Sequence, residues 1–175
     1  MNLALLKRLA EAAARLVDPQ RIVVLGSAAL LLPFPDLGSD GEFLETSLDA
    51  DLLITPCDET DAAMIEEALG EGRAFFRKFG GHVDLMRPAI ASQFPRGWEE
   101  RLVPFPGLEK VFGLEMVDVC VAKLRVGRDK DLAALRRLAG MGRLDLALLR
   151  ERLAATPMRE AEMVVVHRRL DVLGS

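Results

Sequence analysis

The sequence predicts a mixed α/β (α+β) fold, with a sheet and helices in the first two-thirds of the chain and helices alone in the last third. Short β-rich runs at residues 22–25, 48–55 and 82–86 are separated by a helical segment and by turn residues. After residue 115 the apolar residues recur only at helical spacing. This succession favours a mixed sheet with helices on at least one face.

These patterns divide the chain into an α/β core at residues 1–115 and a helical part at residues 116–175. A length of 175 residues suggests one domain with a helical appendage, so the second part is expected to pack on the first. Any boundary is expected near residues 113–116, where the periodicity changes.

The first elements are predicted to be a helix, a strand and a helical turn. Residues 2–17 predict an amphipathic helix, because apolar residues recur at helical spacing among charged ones and an Asp-Pro pair ends the run. Residues 22–25 predict the first strand. A Gly-Ser pair ends this strand, and a short helix is expected at residues 28–32.

A proline- and glycine-rich loop at residues 33–46 precedes the second strand. Pro56 ends that strand, and Asp58 or Thr60 can cap a helix that runs to about Leu69.

Residues 73–79 are predicted to form a strand, followed by a Gly-Gly turn and a further strand at residues 82–86. Signals are weaker between residues 89 and 109, and residues 110–114 predict one more strand. Helices are expected from there to the end.

Composition excludes several classes of protein. A formal net charge of −4, from 23 basic and 27 acidic residues, argues against a dedicated nucleic-acid-coating protein. Cys57 and Cys120 lack metal-ligand spacing and are interpreted as reduced thiols of a cytoplasmic protein. The longest apolar run, residues 22–32, is too short to cross a bilayer, so we expect no membrane partner.

Two of the predicted strands carry acidic residues on one face. Asp49 and Asp51 point to the same side because side chains alternate along a strand, and Asp84 alternates with Val83 and Leu85 in the same way. If the two strands are neighbours, the three carboxylates converge on one patch. Clustered carboxylates without histidine or cysteine ligands suit Mg²⁺ or Mn²⁺. Two such ions, about 3.5–4 Å apart, serve in-line phosphoryl or nucleotidyl transfer.

A Gly-Ser turn offers a second part of such a site. Gly26 and Ser27 lie between the first strand and the short helix. Backbone N–H groups and a hydroxyl at a helix N-terminus favour anions, so this turn is a candidate phosphate-binding element.

Together these residues resemble the nucleotidyltransferase superfamily, which has the DNA polymerase β-like fold. The shared order is strand, Gly-Ser, short helix, loop, Asp-x-Asp and a third Asp on a later strand. The likeness is greatest to small bacterial nucleotidyltransferase-like proteins related to abortive-infection type IV toxins. Those proteins add a helical block with a lysine and a charged cluster, which residues 117–132 resemble. The resemblance spans residues 20–140.

The resemblance implies a role for each aspartate. Asp49, Asp51 and Asp84 would bind the catalytic Mg²⁺ or Mn²⁺, and Asp84 would also help to deprotonate the acceptor hydroxyl.

It also implies a nucleotide-binding set. Gly26 and Ser27 form the turn that faces the phosphates, and Ser27 and Lys123 would contact the triphosphate of an NTP. Arg128 and Asp131 would be supporting polar groups at the edge of the cleft.

The spacing departs from the family pattern at one point. Ser27 and Asp49 are separated by 21 residues, which is longer than usual in the family. A second pair, Gly38-Ser39, lies only nine residues before Asp49, but the Pro35 that precedes it is unsuited to a central strand. Strand context therefore favours Gly26-Ser27. The insertion is expected either to shape the substrate entrance or to mean that the phosphate-binding function of this turn has been lost.

Each candidate outside the aspartates has an ordinary structural alternative. Lys123 can be a surface lysine whose stem lies along an apolar face. Arg128 and Asp131 can form a local ion pair at a helix start. His82 shares a strand face with Asp84, but a single histidine is more often a packed or surface residue.

The function expected from these residues is transfer of a nucleoside monophosphate from an NTP to a hydroxyl of RNA, protein or a small molecule. The related toxins suggest a toxin of a toxin–antitoxin pair, with an antitoxin protein as partner. Two alternatives remain open. One is a catalytically degenerate member that binds a nucleotide or a protein, and the other is a hydrolase that uses the same carboxylates.

Overall fold

The computed structural model describes residues 1–173 and divides into two compact units. The sheet unit comprises residues 1–88 and 102–114, and the helical unit comprises residues 89–101 and the chain from Glu115 onward. Residues 89–101 thus belong with the C-terminal helices although they precede the last strands. The two-part domain organisation that the sequence suggests stays a prediction.

Within the described residues, the strands form one five-stranded sheet of order β3-β2-β1-β5-β4. The strands are β1 (Arg21–Val24), β2 (Asp49–Thr55), β3 (His82–Leu85), β4 (Val103–Pro104) and β5 (Val111–Gly113). The β1–β2 and β4–β5 pairs are antiparallel, whereas the β1–β5 and β2–β3 pairs are parallel. The predicted mixed sheet is therefore confirmed, and β3 is one of its two edge strands.

Three helices accompany the sheet: α1 (Leu3–Val17), α2 (Glu59–Leu69) and α3 (Ala74–Phe79). Asn2 caps α1 by accepting a hydrogen bond from the Leu5 N–H at 2.9 Å. Asp58, rather than Thr60, caps α2, because Asp58 and Asp61 bond each other's backbone N–H groups in a capping box. The helix α2 packs against both α1 and β3.

The prediction of a strand at residues 73–79 is wrong, since this segment is the helix α3. Its aromatic residues favour a strand by propensity, but Phe75 and Phe79 are one helical turn apart, and their tilted rings are in contact with centroids 4.7 Å apart. Gly80 ends the helix in the left-handed conformation, at φ +76°, which a glycine adopts readily. The Gly-Gly pair thus ends a helix instead of joining two strands.

The insertion between β1 and β2 is folded into the sheet unit. After the 3₁₀ helix at Ser27–Leu31, a second one occupies Pro35–Gly38. Leu37 and Leu44 are buried, and the Leu44 N–H donates to the Leu37 carbonyl at 3.0 Å. The insertion therefore contributes to the core.

The helical unit contains α4 (Met116–Val126), α5 (Asp129–Gly140), α6 (Leu146–Ala154) and α7 (Glu160–Leu173). The predicted helical last third is confirmed, and α4 is its centre, since it contacts each of the other three helices. Within residues 1–173, none of the helices combines the length and the apolar content that a membrane crossing needs.

A buried aspartate lies at the start of α4. Asp118 is fully buried, and the Arg101 guanidinium donates to its Oδ2 at 2.7 and 3.1 Å. Burial raises the pKa of Asp118, and the hydrogen bond and charge of Arg101 oppose that rise. This ion pair ties the segment 89–101 to the helices and explains why that segment belongs to the helical unit.

The other end of α4 is closed by an arginine of α7. Gly127 follows α4 in the left-handed conformation, at φ +65°, and a Cβ there would overlap the Arg169 guanidinium. Arg169 donates to the carbonyls of Leu124 at 2.8 Å and Arg125 at 2.6 Å. The last carbonyls of a helix have no intrahelical donor, so the guanidinium supplies their hydrogen bonds. Its positive charge also interacts favourably with the negative end of the helix dipole.

Replacing Arg169 by methionine should therefore destabilise the protein. Two charge-assisted hydrogen bonds to a helix end disappear, so the free energy of unfolding should fall by about 1–3 kcal/mol in urea titrations. Arg168→Met is the matched control, since Arg168 is exposed on the same helix and should change stability by less than about 0.5 kcal/mol. Equal losses in the two variants would show that Arg169 does not cap α4.

Candidate active site

The β2–β3 pairing brings the predicted acidic residues together. In this parallel register Asp51 lies opposite Asp84, and Asp49 lies opposite His82. Neighbouring strands are about 4.8 Å apart, so side chains on the same face of adjacent strands are in reach of each other. One carboxylate oxygen from each of Asp49, Asp51 and Asp84 lies within 4.8 Å of the other two. We refer to these residues as the carboxylate cluster.

The opposite face of β2 explains why the acids are held where they are. Ala50, Leu52 and Ile54 alternate with the acids and are buried at 2% exposure or less. Turning the strand over would expose these apolar residues and bury the acids, so the register is fixed by the core. Leu53, the next residue on the acidic face, is also buried. The cluster therefore sits where the covered part of that face begins.

Gly26 lies directly against the cluster. The Leu25 N–H donates to the Asp51 carbonyl at 2.8 Å, which places Gly26 beside Asp51. Gly26 has φ +57° and ψ −152°, a conformation that is essentially restricted to glycine. A Cβ at this position would occupy the space of the Asp51 carboxylate oxygen Oδ2. The absence of a side chain at Gly26 is thus what lets the Asp51 carboxylate take its place.

Ser27 is the first residue of the 3₁₀ helix Ser27–Leu31 and directly follows Gly26 in the chain. The competing pair, Gly38-Ser39, lies elsewhere, because Gly38 packs against the backbone of Met1 and Asn2. The geometry thus agrees with the choice of Gly26-Ser27 on strand context. A phosphate-binding role for Gly26 and Ser27 stays a prediction.

Two polar side chains touch the cluster that the sequence did not assign to it. The Ser47 hydroxyl donates to the Asp49 carboxylate at 3.1 Å. His82 Nε2 lies 3.4 Å from Asp84 Oδ1, and the His82 ring packs edge-on against Phe76. Both contacts join residues two apart in the sequence, and for His82 and Asp84 the alternation along β3 already indicated a shared face.

The aspartates differ in their access to solvent. The side chain of Asp84 is 52% exposed, whereas Asp49 and Asp51 are partly covered. His82, by contrast, is buried. Asp84 on the edge strand is thus the member of the cluster that an incoming molecule reaches most easily.

Lys123, Arg128 and Asp131 form a cluster of their own within the helical unit. Lys123 Nζ lies 3.1 Å from Asp131 Oδ1, and Arg128 Nε lies 2.6 Å from Asp131 Oδ2. The local Arg128–Asp131 ion pair considered as an alternative is therefore present. The interpretation of Lys123 as a surface lysine is wrong, since it is only 7% exposed. A contact of these residues with a triphosphate stays a prediction.

The charge of Asp131 is maintained by its two cationic neighbours. Burial raises the pKa of Asp131, but the hydrogen bond from Arg128 and the charge of Lys123 outweigh it and leave the pKa below its ordinary value of 3.8. The buried lysine thus has a carboxylate partner at neutral pH, as buried charges require.

The carboxylate cluster fits a hard divalent cation. Its ligand atoms are all carboxylate oxygens, which Mg²⁺ and Mn²⁺ prefer. Like charges this close repel each other by about 1–4 kcal/mol per pair, depending on the local dielectric. A bound cation would replace this repulsion with attraction, so the donor set suits Mg²⁺ or Mn²⁺.

A mixed sheet that carries Asp-x-Asp on one strand, a third aspartate on its neighbour and a glycine-initiated turn beside them is a nucleotidyltransferase-like arrangement. Residues 3–168 match the model of a family described as nucleotidyltransferase of unknown function (DUF6036). The chain therefore belongs to this family, and the predicted superfamily is confirmed. No curated protein and no solved structure matches it.

A side chain at Gly26 should disturb both the backbone and the cluster. In Gly26→Ala the new Cβ meets Asp51 and the backbone is strained, so the free energy of unfolding should fall by at least about 2 kcal/mol in urea titrations. Gly41→Ala is the control, because Gly41 also has a positive φ (+80°) but no atom near its Cβ position. If Gly26→Ala lowers the free energy of unfolding no more than Gly41→Ala does, the predicted clash with Asp51 is contradicted.

Removing the negative charge of Asp131 should destabilise the helical unit. Asp131→Asn leaves Lys123 buried without its anionic partner, so the free energy of unfolding should fall by about 3–5 kcal/mol at pH 7. Asp129→Asn, an exposed acid in the same helical turn, serves as the control and should have little effect.

The same variant should also lose a pH dependence. Because the folded pKa of Asp131 is below its unfolded value, its stabilisation is present above the unfolded pKa and is lost as the pH falls through the folded pKa. The relevant range is about pH 5 to pH 2, which brackets the ordinary pKa of an aspartate and values below it. Urea titrations over this range should show a smaller fall in the free energy of unfolding for Asp131→Asn than for the parent. An identical fall in both proteins would contradict the lowered pKa.

Proposed function

We propose that the protein is a metal-dependent nucleotidyltransferase that moves a nucleoside monophosphate from an NTP to a hydroxyl group. The observation that carries this proposal is the convergence of Asp49, Asp51 and Asp84 beside the turn at Gly26. Membership of a nucleotidyltransferase family supports it independently.

In this proposal Asp49, Asp51 and Asp84 hold Mg²⁺ or Mn²⁺. When bound, the metal neutralises charge on the triphosphate and stabilises the charge that develops during in-line transfer. The neighbouring side chains hold the carboxylates in place, since Ser47 bonds Asp49 and His82 lies against Asp84.

The acceptor hydroxyl approaches Asp84, the exposed carboxylate of the cluster. The oxygen of the acceptor hydroxyl forms a bond to the α-phosphorus of the NTP. The bond from that phosphorus to the oxygen that bridges it to the β-phosphorus breaks, and pyrophosphate leaves. Asp84 accepts the hydroxyl proton as general base. The backbone N–H groups that follow Gly26 face the phosphates, with the Ser27 hydroxyl beside them.

Lys123, Arg128 and Asp131 complete the proposal as nucleotide-binding residues. The ion pair between Lys123 and Asp131 bears on this role, because a triphosphate would have to share the ammonium group with Asp131. Arg128 is the more accessible cation, since its side chain is 60% exposed.

That ion pair also favours a second candidate function. If Lys123 serves only to neutralise Asp131, the protein is a catalytically degenerate member of the family that binds a nucleotide or a protein. An antitoxin is the partner that the toxin-like resemblance suggests. The toxin role, the acceptor and a cytoplasmic location all stay predictions.

Label transfer from an α-labelled NTP tests the activity. With Mg²⁺ or Mn²⁺, total RNA, extract protein and small-molecule acceptors, the parent should label one acceptor. Asp51→Asn should reduce labelling by at least about 100-fold, since a metal ligand is lost. Asp40→Asn, an exposed aspartate outside the cluster, should label normally.

The melting temperature provides the structural control for Asp51→Asn. Without metal this variant should melt at the same or a higher temperature than the parent, because a like-charge repulsion is relieved. Transfer at the parent's rate by folded Asp51→Asn would contradict the proposed role of the cluster.

A metal-dependent melting shift separates nucleotide binding from pure protein binding. Mg²⁺ together with an NTP should raise the melting temperature of the parent, as a ligand that binds only the folded state does. A shift without any label transfer would favour the degenerate nucleotide binder. No shift with any NTP would favour a module that binds only a protein.

A further inference from the structure

The helix α7 carries apolar residues beyond the side that it buries. It contacts α4 and α5, and its Val166 and Leu170 are buried. Its Val164, Val165 and Val172 are nevertheless 48%, 45% and 59% exposed. A surface helix normally has a single apolar face, with polar residues on the opposite side. The outer side of α7 therefore has the composition of a surface that is covered by another molecule.

The exposed residues of α7 form an ordered stripe. Ala161, Val165, Arg168 and Val172 are all exposed and recur at spacings of four, three and four residues, so they lie on one side of the helix. This is the spacing at which two helices pack side by side along a seam. The stripe is about three helical turns long.

The stripe borders a groove between α5 and α7, within the helical unit. The groove has a volume of about 330 Å³, and its apolar lining residues are Leu132 of α5 and Val165, Val172 and Leu173 of α7. A concave surface between two helices accepts a row of side chains from a third helix. The shape of the groove therefore agrees with the spacing of the stripe, and both indicate a helix as the occupant.

The charged residues of this groove are all arginines: Arg136 of α5, and Arg168 and Arg169 of α7. Arg169 is engaged at the end of α4. Arg136 and Arg168 are exposed, and neither pairs with an acid within residues 1–173. Two unpaired guanidinium groups thus flank apolar surface, and they favour an occupant that carries carboxylates.

The same residues count against other occupants. Two copies of the chain joined through the stripe would bring their arginines together, with no acid among the described lining residues to separate them. Single-stranded nucleic acid binds through aromatic side chains that stack on its bases, and this lining contains none. A flat anionic membrane surface would contact the exposed side of α7 but would leave the concave groove unfilled.

We propose that the groove between α5 and α7 binds an amphipathic helix of another protein, which has apolar residues along one side and aspartate or glutamate beside them. The apolar residues of that helix pack on Val165 and Val172, and its carboxylates pair with Arg136 and Arg168. A partner helix of about 12 residues covers the stripe. Binding at this surface does not require the nucleotidyltransferase activity proposed above.

A synthetic helix tests the groove directly. The probe is a labelled peptide of about 14 residues, held helical by a lactam bridge, with leucines at spacings of four, three and four and glutamates beside them. Its binding to the full chain is measured by fluorescence anisotropy. The parent should bind this peptide. Peptides with lysine in place of glutamate, or serine in place of leucine, should bind at least about tenfold more weakly.

Variants of the groove separate its apolar contribution from its charge. Val165→Ser/Val172→Ser should bind the glutamate peptide at least about tenfold more weakly, because apolar surface that the peptide covers is lost. Arg136→Gln/Arg168→Gln should bind it about fivefold more weakly, as expected for the loss of two exposed charge contacts. All four residues are exposed, so both variants should fold, which melting curves verify.

Matched substitutions outside the groove provide the controls. Leu48→Ser/Met64→Ser removes exposed apolar surface, and Arg87→Gln/Arg96→Gln removes two exposed positive charges. None of these residues lines the groove, so both variants should bind the peptide like the parent.

Several results would overturn the proposal. One is the absence of peptide binding by the parent, and another is equal binding of the lysine peptide. Unchanged binding by Val165→Ser/Val172→Ser would also overturn it, because charge alone would then explain the affinity. Vesicles containing phosphatidylglycerol and light scattering of the parent test the other occupants. Vesicle binding or self-association that this valine variant abolishes would assign the surface to a membrane or to a second copy instead.

Discussion

The parallel register of β2 and β3 is the constraint on which the candidate site depends. It places Asp51 opposite Asp84 and holds three carboxylates within 4.8 Å of one another, an arrangement that is unfavourable without a counter-charge. The apolar residues on the other face of β2 are buried, so the core fixes this register against the repulsion. Gly26 adds a second constraint, because only a residue without a Cβ leaves room for the Asp51 carboxylate. Buried apolar residues of β2 and a glycine without a Cβ thus hold the three carboxylates in this arrangement.

The parts of the fold that were predictable are those controlled by short-range periodicity. Alternation along β2 and β3 identified the acidic face, and the helical spacing after residue 115 identified the helical unit. The same alternation, together with the Gly-Ser turn, predicts the nucleotidyltransferase superfamily from the sequence alone. The family match then confirmed the superfamily.

Features set by tertiary packing could not be predicted in this way. The aromatic residues of α3 suggested a strand by propensity. The segment is a helix instead, in which Phe75 contacts Phe79 and Gly80 ends the last turn. The alternative interpretation of Lys123 as a surface lysine was wrong, because the sequence spacing does not reveal that Asp131 lies 3.1 Å from its ammonium group in the interior.

The central claim, that Asp49, Asp51 and Asp84 form a divalent cation site, is tested most directly by Mn²⁺ binding followed by electron paramagnetic resonance. The signal of free Mn²⁺ should fall when the parent is added and should return when Mg²⁺ competes. Asp49→Asn/Asp51→Asn should leave the signal nearly unchanged, while Asp40→Asn should behave like the parent. Equal loss of signal in the cluster variant and the parent would contradict the assignment, because the bound Mn²⁺ would then lie elsewhere.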